Sequence, residues 1–372
     1  MNSTNRIKII DILRGWALLV VVICNYSVFA YDENYQIIGK GFVSKILQTL
    51  EKFLFSAKGW SLLFVLFGFG FGVFMDKFQG NSYLGFIKRM FILFVFAFVN
   101  SIIYDGDILR DYAFLGLLIL FFYKLSAKKI LIIASMILFF IPFLDAYINA
   151  LDMSYVETQI ELATPLKYSH SIVDLFKFNF WSSYYFEVVN LGYSVTAHCV
   201  MFVCMLLGLW AQKTNFFATV FSSIDNVKKI ALISFFSALV LSLILFFSFQ
   251  QKATYLAYFS PNYWVVLLTM IFTTACICLL FLKQRCRTIF GYFSIVGRMT
   301  LTNYMVQNLI SFFIFQGFGL RLFYTLPYYC YFLIAVGVYI LQIFFSFWWL
   351  KSNNYGPLEI LWRRWSCTIS KP

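Results

Sequence analysis

Charged side chains are scarce in this sequence. Asp, Glu, Lys and Arg together make up 12% of its 372 residues, whereas hydrophobic residues make up 62%. A soluble domain carries about 25% charged and about 45–50% apolar residues. The shortage of polar surface excludes a water-soluble domain, a disordered chain, a nucleic-acid-binding domain and a secreted disulfide scaffold as the main description. With a mean hydropathy of +0.80, the sequence predicts a polytopic membrane protein.

Patterns that hold metals or form disulfides are also lacking. The eight cysteines lie in or beside apolar runs without a CxxC pair, and the only two histidines, His170 and His198, are far apart. Neither a disulfide framework nor a zinc site is expected from such spacing. We therefore predict no metal site and no tightly bound cofactor.

Apolar runs of near-membrane length predict an all-α helical bundle of about ten transmembrane helices. The whole chain, residues 1–372, is expected to form a single transmembrane domain. The predicted spans are Ile9–Ala30, Phe53–Met75, Phe86–Tyr104, Leu109–Tyr123, Ile130–Ile148, Val188–Trp210, Ile230–Phe249, Tyr263–Leu282, Leu301–Gly317 and Tyr328–Leu350.

Basic residues are distributed unevenly between the loops. With a cytoplasmic amino terminus, 20 of the 29 Lys and Arg residues fall on the inner side, together with only four carboxylates. Cytoplasmic loops carry such an excess of basic residues. Both termini are therefore predicted to be cytoplasmic, with 351–372 as a cytoplasmic tail, and the net charge of +13 requires no nucleic acid partner.

The first apolar run also resembles a signal peptide, because Arg6 and Lys8 precede it and Ala30 ends it. Asp11 and Arg14 interrupt this run, and further spans follow instead of an exported domain. A membrane span is the favoured interpretation. Two segments between spans, 31–52 and 145–187, are longer than turns and carry apolar or aromatic residues typical of extracytoplasmic interfacial segments.

The first span carries Asp11, Arg14 and Asn25 on one helix face, since a residue advances by about 100° around a helix. One interpretation is an Asp11–Arg14 pair that satisfies itself and fixes the helix end at the interface. Such a pair leaves Asn25 unexplained, so a polar channel for a ligand is the alternative.

The second span and the following turn offer further candidates. Lys58 is either a binding residue or a side chain that extends outward to the interface, and Gly68 and Gly72 form a GxxxG pattern for close helix packing. Asp105 and Asp107 lie in one turn, where they are candidates for a catalytic base. The structural alternative is a solvated turn in which Asp107 caps the next helix.

His198 lies within the sixth span, where its ring needs a partner or a wet cavity, so it is a candidate for catalysis. The ninth span begins with many hydrogen-bonding groups, which predicts that its polar face points into the protein. The candidates for substrate binding there and in the tail are Arg298, Thr302, Asn303, Gln307 and Arg363.

Five motifs in the same order resemble the bacterial YeiB-like family, whose domain has no known function. They are Asp11-Ile12-Leu13-Arg14-Gly15 with Asn25, the glycines at 68–72, Gly106-Asp107-Ile108-Leu109 with Tyr112-Ala113, Gly297 to Tyr304 with Gln307, and Gly356-Pro357-Leu358-Glu359 with Trp362-Arg363. The resemblance implies a multi-pass protein of the bacterial cytoplasmic (inner) membrane.

The first-span pattern is also similar to that of the heparan-glucosaminide acetyltransferases and, more distantly, of the integral-membrane acyltransferases. This similarity implies an O- or N-acyltransferase that uses cytoplasmic acyl-CoA as co-substrate and a glycan, lipid or small amine or hydroxyl as acceptor. Arg14 would then contact the donor, helped by Arg298 and Arg363, and Asn25 would lie near the acyl group. These enzymes have a histidine near the outer end of the first span, but here none lies between Asn25 and Lys58. His198, Asp105 or Asp107 would have to act as the base.

Two other functions stay open. Polar residues inside spans and glycine-interrupted helices are also typical of a transporter or flippase for a lipid-linked or small anionic substrate. The second of these two functions is that of a non-catalytic membrane partner or sensor. Membrane lipids are expected partners in each case, and the sequence is compatible with an oligomer.

Overall fold

The protein is predominantly helical in the part that the computed structural model describes, which is residues 3–31, 36–38, 41–77, 82–220, 223–251 and 253–367. In these ranges the only strand-like pairing is one bridge between Tyr31 and Ile37. The α-helices are α1 Ser3–Ser27, α2 Phe42–Leu50, α3 Lys58–Lys77, α4 Ser82–Ile103, α5 Leu109–Ile119, α6 Ala127–Asn149, α7 Ser154–Lys167, α8 Ile172–Ser183, α9 His198–Lys213, α10 Phe216–Val220, α11 Ile224–Gln250, α12 Asn262–Leu282, α13 Arg287–Gly297, α14 Thr300–Phe315, α15 Tyr328–Trp349 and α16 Pro357–Cys367.

The described part of the chain contains eight helical segments long and apolar enough to cross a membrane. This confirms the predicted all-α, multi-pass membrane protein. These segments are Lys8–Ala30, Phe42–Lys77, Tyr83–Ile103, Ala127–Asn149, Gly192–Lys213, Ile224–Gln250, Asn262–Leu282 and Tyr328–Trp349.

The other two predicted spans, 109–123 and 301–317, are shorter helices. They correspond to α5, with 11 residues, and α14, with 16 residues. At about 1.5 Å per residue, neither reaches the roughly 30 Å of a bilayer core. Both contact protein along much of their length, so many of their apolar side chains pack in the interior of the bundle.

The start of α1 and the tail helix α16 lie at the same end of the bundle, which we call the terminal end. A Cβ atom added to Gly297, just before α14, would collide with the Asp11 carbonyl of α1. Arg298 donates to the carbonyl of Asn354, just before α16, at 3.0 Å. Residues 368–372 of the predicted tail lie outside the described residues. The opposite end, which carries α7 and α8, is called the cap end.

Close helix packing at glycines assembles the centre of the bundle. Added Cβ atoms at Gly68 and Gly208 would collide with carbonyls of α9 and α3, respectively. The predicted packing role of the GxxxG face is therefore confirmed for Gly68. Gly15 is equally close to the Phe293 carbonyl of α13, so α1 lies deep inside the protein.

The two predicted interfacial segments have different structures. Within 31–52, of which residues 32–35 and 39–40 lie outside the described part, α2 exposes large apolar side chains, with Phe42 79% exposed. Segment 145–187 forms the end of α6, then α7 and α8. Asn179 of α8 donates to the carbonyls of Ile102 and Ile103, and these bonds fix α8 against the end of α4.

Candidate functional site

The polar face of α1 begins at an ion pair near the terminal end. The Arg14 guanidinium lies 3.3 Å from the Asp11 carboxylate, and the side chains are 34% and 14% exposed. A Cβ atom on Gly70 of α3 would lie 3.7 Å from the Arg14 guanidinium. The predicted ion pair is thus present, and part of the Arg14 side chain stays exposed.

Asn25 lies nearer the cap end on the same helix and borders a small cavity of about 40 Å³. Within the described residues, none of the hydrogen bonds involves the Asn25 side chain. Arg14 is not part of the lining. The residues around the cavity are Val20, Val21, Cys24, Asn25, Phe55, Ala57, Gly59, Trp60, Ile108 and Tyr304.

Tyr304 connects this cavity to Asp107. The Tyr304 hydroxyl donates to Asp107 Oδ1 at 3.3 Å and accepts from the Ile108 amide at 3.2 Å. Asp107 Oδ1 also accepts from Asn100 Nδ2 at 2.7 Å and from the Leu109 amide at 3.1 Å. Asp107 thus bonds the first amide of α5, although the N-cap residue is Ile108 and not Asp107 as predicted. The expected solvated turn is also wrong, because Asp107 is fully buried.

Burial gives Asp107 unusual acid–base behaviour. Desolvation disfavours the charged carboxylate and raises its pKa to about 7, against the lowering effect of the bonds from Leu109 and Asn100. Its Oδ2 atom has no hydrogen-bond partner. A carboxylate with a pKa near neutral pH suits a general base.

Helix α14 adds buried amides on the same side. Gln307 is fully buried, and both polar atoms of its side chain lack hydrogen-bond partners among the described residues, although its backbone carbonyl accepts from Tyr26. Asn308 donates to Asn100 at 3.4 Å, and its Oδ1 lacks a partner. Asn303 donates to Ser346 Oγ at 3.0 Å. The prediction that this face points inward is confirmed.

His198 belongs to a separate cluster. Its Nε2 lies 3.0 Å from Asp111 Oδ1 and its Nδ1 lies 3.1 Å from the Tyr193 carbonyl. The Tyr193 hydroxyl donates to Asp111 Oδ2 at 2.7 Å. Both ring nitrogens thus face acceptors, so in this conformation His198 offers no free lone pair for a base. Its catalytic role stays a prediction.

Asp105 points away from the cavity and accepts a hydrogen bond from Ser182 of α8 at 3.0 Å. Arg110, in the first turn of α5, forms an ion pair with buried Glu187. These contacts attach the turn to the cap. Of the three predicted bases, only Asp107 is linked to the cavity at Asn25.

A second charged group lies close to Asn25. Lys58 is 6% exposed and donates to the Lys52 carbonyl at 3.0 Å, so the expectation that it extends to the interface is wrong. Glu51 is 7% exposed and accepts from the Tyr328 hydroxyl at 3.1 Å. The Glu51 carboxylate is close enough to the Cys24 thiol to act on it electrostatically.

The remaining candidates meet at the terminal end. Thr302 donates to Glu359 Oε2 at 2.6 Å, and Glu359 Oε1 accepts from the Leu301 and Thr302 amides at 2.7 and 3.2 Å. Arg363 packs over the Tyr355 ring at 3.7 Å. Thr302 is therefore occupied by the tail, whereas Arg298 is exposed and close enough to Asp11 to act on it electrostatically.

Sequence reasoning missed Tyr304, Cys24, Glu51 and Glu359 as members of these clusters. Tyr304 and Glu359 belong to recognised motifs, so their sequence positions carried a signal. Cys24 adjoins Asn25 and gave a weaker one. For Glu51 there was no signal, because a carboxylate in an interfacial segment usually points to water.

Comparison with known proteins supports the predicted resemblance. Residues 210–368 match the family described as "Protein of unknown function (DUF418)". The chain is 29% identical to "Uncharacterized protein YxaH" of Bacillus subtilis (strain 168), over 97% of this chain and 94% of that protein. It is 38% identical to "Uncharacterized protein YeiB" of Escherichia coli (strain K12), over 21% of this chain and 20% of that protein. No solved structure matches.

Proposed function

We propose that the protein is an acyl-CoA-dependent acyltransferase of the bacterial cytoplasmic (inner) membrane. It would transfer an acyl group from cytoplasmic acyl-CoA to a glycan, a lipid or a small amine or hydroxyl. The observation that carries the proposal is the convergence of Asn25 and Tyr304 on one cavity, with buried Asp107 bonded to the Tyr304 hydroxyl. Arg14 lies on the same helix, towards the terminal end.

The residues have distinct roles in this mechanism. Arg14 binds phosphate groups of the donor, because a guanidinium matches phosphate oxygens, and exposed Arg298 near Asp11 adds positive charge. The Asn25 amide, which has no protein partner, donates to the acyl carbonyl oxygen as negative charge develops there. Asp107 accepts the acceptor's proton through the Tyr304 hydroxyl.

The cavity favours a short acyl group. A water molecule needs roughly 10–15 Å³ of such space, so about 40 Å³ holds about three water-sized groups. An acetyl group has three heavy atoms. We therefore expect acetyl-CoA to be preferred over long-chain acyl-CoA.

Thermal unfolding in detergent tests donor binding. A ligand at 100 times its Kd stabilises the native state by about 2.7 kcal/mol. Acetyl-CoA should raise the Tm of the wild type and of Lys229→Ala, which removes an exposed lysine on α11, but not that of Arg14→Lys. The ligand-induced shift is compared within each variant, because Arg14 also pairs with Asp11. No shift of the wild type at millimolar acetyl-CoA would contradict the proposal.

The Gln307 amide supports a second candidate, a transporter or flippase. A buried amide without partners is costly unless a ligand or water bonds to it, and a translocation path would supply both. Proteoliposomes separate the two functions. A transported substrate crosses the bilayer unchanged, whereas acyl transfer releases free CoA and an acylated product.

A further inference from the structure

Cys24 combines a nucleophilic atom with charged neighbours at the edge of the cavity. It adjoins Asn25 and lines the same cavity. The Glu51 carboxylate and the Lys58 ammonium are close enough to the Cys24 thiol to act on it electrostatically. The proposed mechanism so far uses none of these three side chains.

The surrounding backbone is irregular where it places these charges. Residues Glu51–Phe55 form a π-helical turn, and Ala57 has a φ of 64°. A left-handed backbone is unfavourable for a residue other than glycine, and π-helical turns are frequent at functional sites. Buried ions are also costly in a membrane protein. This segment thus holds a carboxylate and an ammonium next to a thiol at a cost in stability.

The size of the cavity favours transfer in two steps. With room for about three water-sized groups, the cavity is filled by an acetyl group alone. Loading the acyl group and releasing CoA before the acceptor enters therefore fits this space better than direct transfer. The order requires an atom of the protein that carries the acyl group in between.

We propose that Cys24 is that atom and forms an acyl-thioester intermediate; this inference rests on the proposed acyltransferase function. Glu51 takes the thiol proton as Cys24 Sγ bonds to the acyl carbon. The bond from that carbon to the CoA sulfur breaks, and the CoA thiolate receives the proton from Glu51. The Asn25 amide stabilises the oxyanion of this step, and Lys58 balances the negative charge between Glu51 and Sγ.

The second half restores the enzyme. The acceptor oxygen or nitrogen bonds to the acyl carbon, the bond to Cys24 Sγ breaks, and the acceptor's proton passes through Tyr304 to Asp107. That proton returns to the thiolate. No atom is oxidised or reduced, and the net products are CoA and the acylated acceptor.

Trapping the intermediate tests the proposal. Purified full-length protein in detergent is incubated with [14C]acetyl-CoA without acceptor, denatured in acid, and analysed for label that neutral hydroxylamine removes. We expect up to one acetyl group per chain, located by mass spectrometry on the peptide containing Cys24. Cys199→Ala removes a partly buried cysteine of α9 outside the cavity lining and should label normally, whereas Cys24→Ala should not.

The acetyl-CoA-induced Tm shift, measured on the same samples, distinguishes failure of the inference from failure of the proposed function. Cys24→Ala should keep the shift, which shows a folded, donor-binding protein without the carrier atom. Glu51→Gln should label about 10²–10⁴-fold more slowly. A normal wild-type shift without label, or label on another cysteine, would overturn the intermediate but leave direct transfer standing. Absence of both the Tm shift and the label would overturn the intermediate and the proposed function.

Discussion

Two buried polar clusters begin four residues apart in the chain and differ in how their hydrogen bonds are completed. Asp111 bonds to His198 and Tyr193 through both of its oxygens, and His198 bonds through both ring nitrogens. Asp107 leaves one oxygen without a partner, and both polar atoms of the Gln307 side chain lack one. The first group is called the histidine cluster and the second the cavity cluster, which also includes Tyr304 and Asn308.

The difference shows what polar residues inside a membrane protein indicate. A fully bonded cluster is explained by structure alone, because each group has replaced its water by a protein partner. A buried group without a partner lowers stability, so its presence requires another reason. Tyr304 of the cavity cluster lines the open space at Asn25, and in the proposed function a substrate bound there provides that reason.

The largest expected effect on stability comes from removing the carboxylate of the histidine cluster. Asp111→Ala should destabilise the protein by about 3–5 kcal/mol, because removing one partner of a buried pair leaves the other without compensation. The measurement is thermal or denaturant-induced unfolding in detergent. Glu161→Ala, at an exposed position within α7, is the control and should stay within about 0.5 kcal/mol of wild type. An equally small effect of Asp111→Ala would remove the distinction between the clusters.

An opposite effect is expected in the cavity cluster. Gln307→Leu should stabilise the protein by about 1–3 kcal/mol, since it removes an amide whose desolvation no hydrogen bond compensates, and should reduce turnover. Asn303→Leu is the matched comparison on α14, and it should destabilise because Asn303 donates to Ser346 and Val296. Destabilisation of both variants to the same extent would show that Gln307 is held by bonds like those of Asn303.

The class of fold followed from the sequence, but the distinction between the clusters did not. Apolar length is a local property, which is why eight of the ten predicted spans are present. The run of polar residues that begins α14 is also local, and it predicted the inward face of that helix. Whether His198 is fully bonded depends on Asp111, which is 87 residues away. The burial of Lys58 could not be predicted from the sequence either, because it depends on how segment 51–58 folds.

The tail helix α16 tests how the cavity cluster is held, since Glu359 bonds to the first amides of α14. Glu359→Ala should cost about 0.5–2 kcal/mol, because a carboxylate at a helix amino terminus satisfies free amides and the helix dipole. Glu161→Ala, an exposed glutamate of α7, is the control. Equal stability of both variants would show that α14 needs no cap.

The final prediction is a pH dependence that distinguishes Asp107 from its neighbour. Burial raises the pKa of Asp107 from its ordinary 3.8 to about 7, so between about pH 4 and pH 7 the folded protein holds a proton that the unfolded chain has released. The contribution of Asp107 to stability is therefore full below about pH 4 and decreases as pH rises towards 7, by at most about 1.4 kcal/mol per pH unit.

Asp107→Asn keeps the Oδ1 acceptor but cannot titrate, so its Tm relative to wild type should rise from pH 5 to pH 7. Asp105→Asn changes the same turn without contacting Tyr304 and should follow the wild-type profile. Parallel profiles of Asp107→Asn and wild type would show that Asp107 binds protons equally in the folded and unfolded states, and would remove the raised pKa from the argument for a base.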